Sequence, residues 1–189
     1  NKVEIKGFDR FSQYNFGMGV GTTIYGLFNF KKESKIEALR HVIRPSINYS
    51  IRPSFDEYYD TYIIDANGNT AEYTRFEDNF FGLPSRTYSS SIGLQVSNNL
   101  EAKVRSKDSL AQESKKITIL NNLNFSTSYN LASDSLKLSP VRMTGGTNLF
   151  NNKLNINLGA TFDPYQINES GTRINKLNIN NGKLFRMTS

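Results

Sequence analysis

The sequence predicts an all-β chain, read here as part of a large antiparallel transmembrane β-barrel with long amphipathic strands and extracellular loops. Three observations carry that reading. Apolar and polar residues alternate over stretches much longer than a soluble strand, which usually runs about five or six residues. About six such stretches follow one another along the chain. The connections between them tend to alternate short and long, as periplasmic turns and outer loops do in outer-membrane barrels.

The first predicted strand lies in Phe11–Lys31. Every second residue gives Tyr14, Phe16, Met18, Val20, Thr22, Ile24, Gly26, Phe28 and Phe30 on one face. Gln13, Asn15, Gly17, Gly19, Gly21, Thr23, Tyr25, Leu27 and Asn29 fall on the other. Side chains of a strand point alternately to opposite faces, and the glycines oppose a helix. A membrane-crossing strand needs roughly nine to eleven residues, and this stretch exceeds that. Phe16, Met18, Val20, Ile24 and Phe28 are therefore expected to face lipid. A charged turn, Lys32–Glu37, follows.

The second strand is predicted at Leu39–Pro53. Ile43, Ile47, Tyr49 and Ile51 share one face with His41, and Arg40, Arg44 and Arg52 share the other. An arginine facing lipid near the midplane costs roughly 2–4 kcal/mol, so the arginines should face water. Pro45 removes a ladder donor and predicts a bulge or irregularity. Residues 54–86 are acidic and tyrosine-rich and read as a long extracellular loop. Asn67-Gly68 between two short alternating runs predicts a small hairpin inside it.

The third strand, Thr87–Arg105, directs Ile92 and Leu94 to lipid. The fourth, Ile117–Leu131, does the same with Phe125 after a charged turn at Ser106–Lys116. The fifth, about Leu138–Phe150, is interrupted by Pro140 and Gly145-Gly146. Asn151-Asn152 turns the chain into the sixth, Lys153–Phe162, with Ile156 and Leu158 toward lipid. Asp163–Gly171 reads as a loop, and Ile174–Met187 as a further loop or the approach to another strand. Residues 1–189 thus read as a segment of one outer-membrane barrel domain. Six strands cannot close a barrel whose smallest versions have eight, so the remainder of its own barrel is the first expected partner.

Composition limits the alternatives. Hydrophobic residues are 37% and mean hydropathy is −0.51, so there is no apolar window of about eighteen residues for a spanning helix. A barrel tolerates that average because half of each strand faces water. The chain has no cysteine, so neither disulfides nor thiol chemistry are available. The net charge of +6 comes from dispersed residues, and no nucleic acid partner is expected. The chain opens on Asn1 without a leader and is expected to be a piece of a longer mature protein.

No catalytic constellation emerges, and neither enzymatic activity nor a cofactor is expected. His41 is the sole histidine and has no cysteine or second histidine to join it. Gly17-x-Gly19-x-Gly21 lacks the third glycine and the helix of a dinucleotide fingerprint. Asp65-Ala66-Asn67-Gly68-Asn69 has a calcium-loop flavour, but Phe76 stands where the bidentate glutamate belongs. Asp56, Glu57 and Asp60 could hold a cation or simply be solvated. Arg40, Arg44, Arg52, Lys103 and Arg105 form a candidate basic strip on the water-filled side, suited to bidentate phosphate contacts. Pairing with carboxylates such as Glu101 is the more ordinary use of the same residues.

Several ordered stretches carry a resemblance. Leu39-Arg-His-Val-Ile-Arg-Pro-Ser-Ile-Asn-Tyr-Ser-Ile-Arg-Pro-Ser-Phe55 resembles a strand of the LptD family, the lipopolysaccharide-assembly outer-membrane proteins, in its Bacteroidetes-type form. Tyr58-Tyr59-Asp60-Thr61-Tyr62, Thr74-Arg75-Phe76-Glu77 and Gly82-x-Pro84-Ser85 are similar to that family too. So are 98–105, 127–136, Gly159-x-Thr161-Phe162-Asp163-Pro164-Tyr165, Arg173-Ile174-Asn175 and 181–189. The resemblance implies a translocon component that transports and inserts lipopolysaccharide into the outer leaflet of the outer membrane. It implies as partners an LptE-like plug lipoprotein and a periplasmic lipopolysaccharide bridge. The chain departs from the family in having no jellyroll sequence, too few strands and no cysteines. A passive porin or receptor-type transporter barrel is the alternative expectation, and a soluble β-sandwich adhesin a more distant one.

Overall fold

The computed structural model of the chain describes residues 7, 9–31, 33–105, 114–149 and 153–188. The chain is all-β. Its strands are β1 (Phe16–Gly21), β2 (Ile24–Asn29), β3 (Ile36–Arg52), β4 (Asp60–Ile63), β5 (Thr70–Tyr73), β6 (Ser89–Val104), β7 (Lys115–Asn130), β8 (Val141–Leu149), β9 (Leu154–Asp163), β10 (Tyr165–Ile167), β11 (Arg173–Leu177) and β12 (Arg186–Met187). Among the described residues, no helix is long and apolar enough to cross a membrane.

One sheet runs in the order β1, β3, β6, β7, β8, β9, β12, with β2 also paired to β3. The sheet is open, and β4–β5 and β10–β11 are separate hairpins. Pairs β2–β3, β6–β7, β7–β8, β8–β9 and β9–β12 are antiparallel. Connections at 30–35, 105–114 and 150–153 leave one end of the strands. Those at 131–140 and 164–185 leave the other.

Several predicted boundaries change. The first strand is not continuous over Phe11–Lys31: it begins at Phe16 and breaks at Thr22-Thr23. The break faces Pro45, whose carbonyl accepts from the Thr22 N–H at 3.1 Å. Pro45 has no N–H to return, so the ladder skips there. β3 itself runs through Pro45 without interruption, so the irregularity falls on its partner. β3 also starts earlier than predicted, at Ile36, taking Glu37 out of the turn. The fifth strand starts at Val141, Leu138 making only an isolated bridge to Tyr129. The predicted loop at Asp163–Gly171 contains β10, and 174–187 contains most of β11 and all of β12. Lys32, Phe150, the Asn151-Asn152 turn and most of the Ser106–Lys116 turn lie outside the described residues, as do Asn1–Lys6, Phe8 and Ser189.

The chain divides into two compact units: residues 1–17 with 50–90, and residues 18–49 with 91–189. The first has an aromatic core. Phe55 and Pro84 are fully buried and Phe76 is buried. Phe11 packs edge-on against Phe76 at 4.8 Å and Tyr58 at 5.9 Å, and Tyr14 against Phe55 at 5.4 Å. Edge-to-face ring pairs contribute about 0.5–1.5 kcal/mol each beyond area burial. Phe11 and Tyr14 are therefore packing residues of this unit, not strand residues. The second unit has little core of its own; Val42, Ala102, Ala160 and Tyr165 are its buried hydrophobics among the described residues.

Candidate functional site

The site is built from the second unit's sheet, whose register sorts side chains onto two faces. Residues directly opposite in an antiparallel pair share a face. Ile24 pairs with Ile43, Gly26 with His41, and Phe28 with Leu39. Ile92 pairs with Tyr129, Leu94 with Thr127, and Val96 with Phe125. Phe125 pairs in turn with Met143, which pairs with Ala160. Leu158 lies opposite Gly145, Ile156 opposite Thr147, and Phe162 opposite both Val141 and Met187. These residues lie on one mostly apolar face along β2–β3 and along β6–β12, and His41 on β3 reaches Asn98 on β6 at 3.2 Å.

Among the described residues, that face is uncovered. Ile24, Phe28, Leu94 and Leu158 are exposed, as are Phe16, Met18 and Val20 on β1, while Ile92, Phe125 and Ile156 are half-buried by neighbours on the sheet. The opposite face carries Ser91, Gly93, Gln95, Ser97, Asn124, Ser126, Ser128, Arg142, Thr144, Asn157, Gly159 and Thr161, joined pairwise by the same register.

The basic strip does not form as one free row. Arg40 Nη1 lies 3.6 Å from Glu101, Lys103 Nζ 3.1 Å from Glu37, and Arg105 Nε 3.6 Å from Glu37. Arg40 also sits over the Tyr25 ring at 5.6 Å. Arg52 belongs to the other unit, and its buried Nε has no hydrogen-bond partner. Arg44 is exposed on β3. A cation that the sequence reading placed in the turn joins the group: Lys116 Nζ lies 3.0 Å from Glu101. Lys116 was legible only if the fourth strand began two residues earlier.

The ladder between β6 and β7 is irregular between Asn98 and Glu101. Side chains satisfy the freed carbonyls. Asn98 Nδ2 donates to Leu123 O at 3.1 Å, and Asn99 Nδ2 to Leu120 O at 3.2 Å and Asn121 O at 3.0 Å. Thr147 Oγ1 donates to Ile119 O at 2.7 Å. His41 Nε2 lies 3.2 Å from Asn98 Oδ1, so the lone histidine belongs to this network. The sequence signal was there: strict alternation fails at Asn98-Asn99.

At the other end, buried Asp163 holds Arg186 at 3.1 Å and Arg173 at 3.8 Å and accepts from the Tyr165 N–H at 3.0 Å. Buried Asn178 donates to the carbonyls of Asp163 and Tyr165. Tyr165 OH accepts from Leu138 N–H at 2.9 Å. These contacts tie the 131–140 and 164–185 connections together and seat β12 against β9. The sequence reading missed this cluster because its members are spread over loops.

The acidic candidates of the first unit are structural. Asp56 is paired with Arg86 at 2.9 Å, and Arg86 also grips Glu72 and covers the Tyr59 ring at 4.8 Å. Bonds from Arg86 hold both carboxylates below their ordinary pKa and raise that of the guanidinium. Asp65 accepts from the N–H groups of Asn67 and Asn69 at 2.9 and 3.0 Å, closing the hairpin turn in which Gly68 takes φ +84°. The Asn69 side-chain amide, which also donates to Asp65, and then those backbone bonds lower its pKa as well. Among the described residues, no three acidic, histidine or cysteine side chains gather as a metal site, so Asp56, Glu57 and Asp60 do not assemble one.

A family model described as LptD protein matches residues 1–165. No curated protein and no solved structure matches the chain.

Proposed function

The chain belongs to the LptD protein family, and from that premise we propose that it is a segment of an outer-membrane barrel that transports lipopolysaccharide and inserts it into the outer leaflet. Family membership suggests the part in lipopolysaccharide transport and the outer-membrane setting. The finer reading rests on one observation: an apolar face along β2–β3 and along β6–β12 that nothing among the described residues covers. An exposed patch of that extent is untenable in water. Hydrocarbon is the occupant that suits its flat continuity. Phe16, Met18, Val20, Ile24, Phe28, Ile92, Leu94, Phe125, Ile156 and Leu158 then face lipid, and the Asn-, Ser- and Thr-rich face borders an aqueous interior.

Two further features support this. In hydrocarbon every backbone polar group needs an internal partner, which the Asn98, Asn99 and Thr147 bonds supply where the ladder slips. The edges at β1 and β12 need partners for the same reason, and the remainder of the barrel would provide them. The end bearing connections 30–35, 105–114 and 150–153 is assigned to the periplasm, where the lipopolysaccharide bridge delivers its cargo. An LptE-like lipoprotein would fill the interior as a plug. No chemical step is assigned to the chain.

Depletion of the full-length protein should strip lipopolysaccharide from the cell surface. Normal surface lipopolysaccharide together with a wide solute conductance in planar bilayers would overturn this reading and mark a passive porin or receptor-type barrel.

A further inference from the structure

On the polar face, at the end assigned to the periplasm, the sheet holds a depression of about 280 Å³. Leu27 and Ala38 contribute an apolar floor. Arg40, Lys103 and Lys116 stand around it with one carboxylate, Glu101. The neighbouring floor residue Leu27 is directly opposite Arg40 in the β2–β3 ladder, so guanidinium and isobutyl group emerge side by side.

The arrangement of cations is not what folding alone favours. Lys103 and Lys116 are register partners across β6 and β7. Like charges placed directly opposite in a sheet are destabilising. Glu101 meets Arg40 and Lys116, and Glu37 meets Lys103, leaving three cations on two carboxylates. Arg105 also shares Glu37, which deepens the excess of positive charge. Leu27, meanwhile, is a large exposed apolar side chain on a face otherwise rich in Asn, Ser and Thr.

We infer that this depression is a subsite for a phosphorylated amphiphile, its phosphate on Arg40, Lys103 and Lys116 and a hydrocarbon segment over Leu27 and Ala38. The inference rests on the proposed reading of this face as the water-filled side, and it adds a place where cargo first engages the barrel. Charge complementarity selects an anion, and the apolar floor beside the cations selects one that carries hydrocarbon. A phosphate monoester accepts from the guanidinium in bidentate fashion and from both ammonium groups. No bond is made or broken.

The test uses full-length protein in nanodiscs of neutral phosphatidylcholine, titrated with dihexanoyl phosphatidic acid, dihexanoyl phosphatidylcholine and inorganic phosphate. The wild-type protein should prefer the phosphatidic acid over both other probes by about tenfold, the worth of one charge-assisted contact. K103Q/K116Q should erase that preference, and K116Q alone should lower it several-fold, should the double variant not assemble. Leu27→Asn should weaken phosphatidic acid several-fold and leave inorganic phosphate unchanged. Equal affinities for wild type and K116Q, or inorganic phosphate binding as tightly as phosphatidic acid, would overturn the subsite. Binding is read at equilibrium without transport, so loss of the transport reading in the depletion experiment and loss of this subsite are separate results.

Discussion

Phe55 and Phe28 are the same residue type in two units of one chain, with opposite fates. Phe55 is 1% exposed, and Phe28 is 60% exposed. In the unit of residues 1–17 and 50–90, aromatic rings meet one another: Phe11, Tyr58 and Phe76 pack edge-on as a trio, and Tyr14 packs edge-on against buried Phe55. On the sheet, Phe28 at 60% meets no such cover. The contrast shows that the chain can bury an aromatic on itself where the backbone folds back, as at Phe55 and Phe76, although Phe80 and Phe81 of the same unit stay exposed. On the strands it leaves its aromatics to whatever surrounds the sheet. The aromatic unit is a small globule whose stability is internal. The sheet is half of an interface, and the free energy of its apolar side chains is realised only against another phase.

The comparison breaks first at the aromatic core. Phe55→Ala removes a fully buried ring and should cost about 3–5 kcal/mol of that unit's stability. Limited proteolysis should then cut within 54–86, where the native protein resists. Phe16→Ala, by contrast, should leave that resistance unchanged, because the Phe16 ring is not among the core contacts.

On the sheet the equivalent experiment places charge on either side of the backbone. Ile24→Arg should cost roughly 2–4 kcal/mol if Ile24 lies near the bilayer midplane, and less toward the interface. Thr23→Arg should be tolerated better, since its neighbour in alternation points to the polar face. The fraction of heat-modifiable, assembled protein in each variant measures the difference. Equal tolerance would remove the distinction between the faces on which the proposed function depends.

Much of this was legible in the sequence, for a simple physical reason. Alternation with period two is imposed by the backbone, so Ile24, Ile92, Phe125 and Leu158 could be assigned to one side before any pairing was known. The register of β6, β7, β8 and β9 puts Ile92, Phe125 and Leu158 on a common face, and that of β2 and β3 puts Ile24 beside Ile43. What alternation cannot express is contact between distant loops. Phe11 and Tyr14 fit the strand pattern by parity, yet pack on Phe76 and Phe55. The Asp163 cluster draws on Arg173, Asn178 and Arg186, none of which is periodic with it. The basic strip was legible as residues but not as partners: Glu37 and Lys116 were both read as turn residues, and with them in the strands the cations find carboxylates. The effect of Pro45 was expected on its own strand. It appears on the opposite one, because a missing donor is felt by the acceptor across the ladder.

A smaller effect is expected where the ladder slips. Asn99→Ala removes the donor to Leu120 O and Asn121 O and should cost about 1–3 kcal/mol, the range for leaving a part-buried polar group without its partner. Asn99→Gln, which keeps an amide within reach, should recover part of it. Unfolding of the assembled protein in denaturant reads both. No loss in either variant would mean that water reaches these carbonyls and that this stretch of β7 lies outside the hydrocarbon.

The smallest effect belongs to the charged clamp of the aromatic unit. Arg86 holds Asp56 and Glu72, and its bonds depress both carboxylate pKa values. The folded unit therefore binds fewer protons than the unfolded chain in the acidic range, and its stability rises with pH across that range. The contribution is complete above the ordinary carboxylate pKa and is lost as pH falls through the depressed values. Both side chains are well exposed, so solvent screening keeps the change small. Amide hydrogen exchange of β4 and β5 should be unchanged from neutral pH down to the ordinary carboxylate range and quicken below it, after correction for intrinsic rates. In Arg86→Gln the quickening should shrink, since neither Asp56 nor Glu72 then has a cation to lose. Persistence of the acid response in that variant would move its origin to Asp65, whose turn bonds depress its pKa by a separate route.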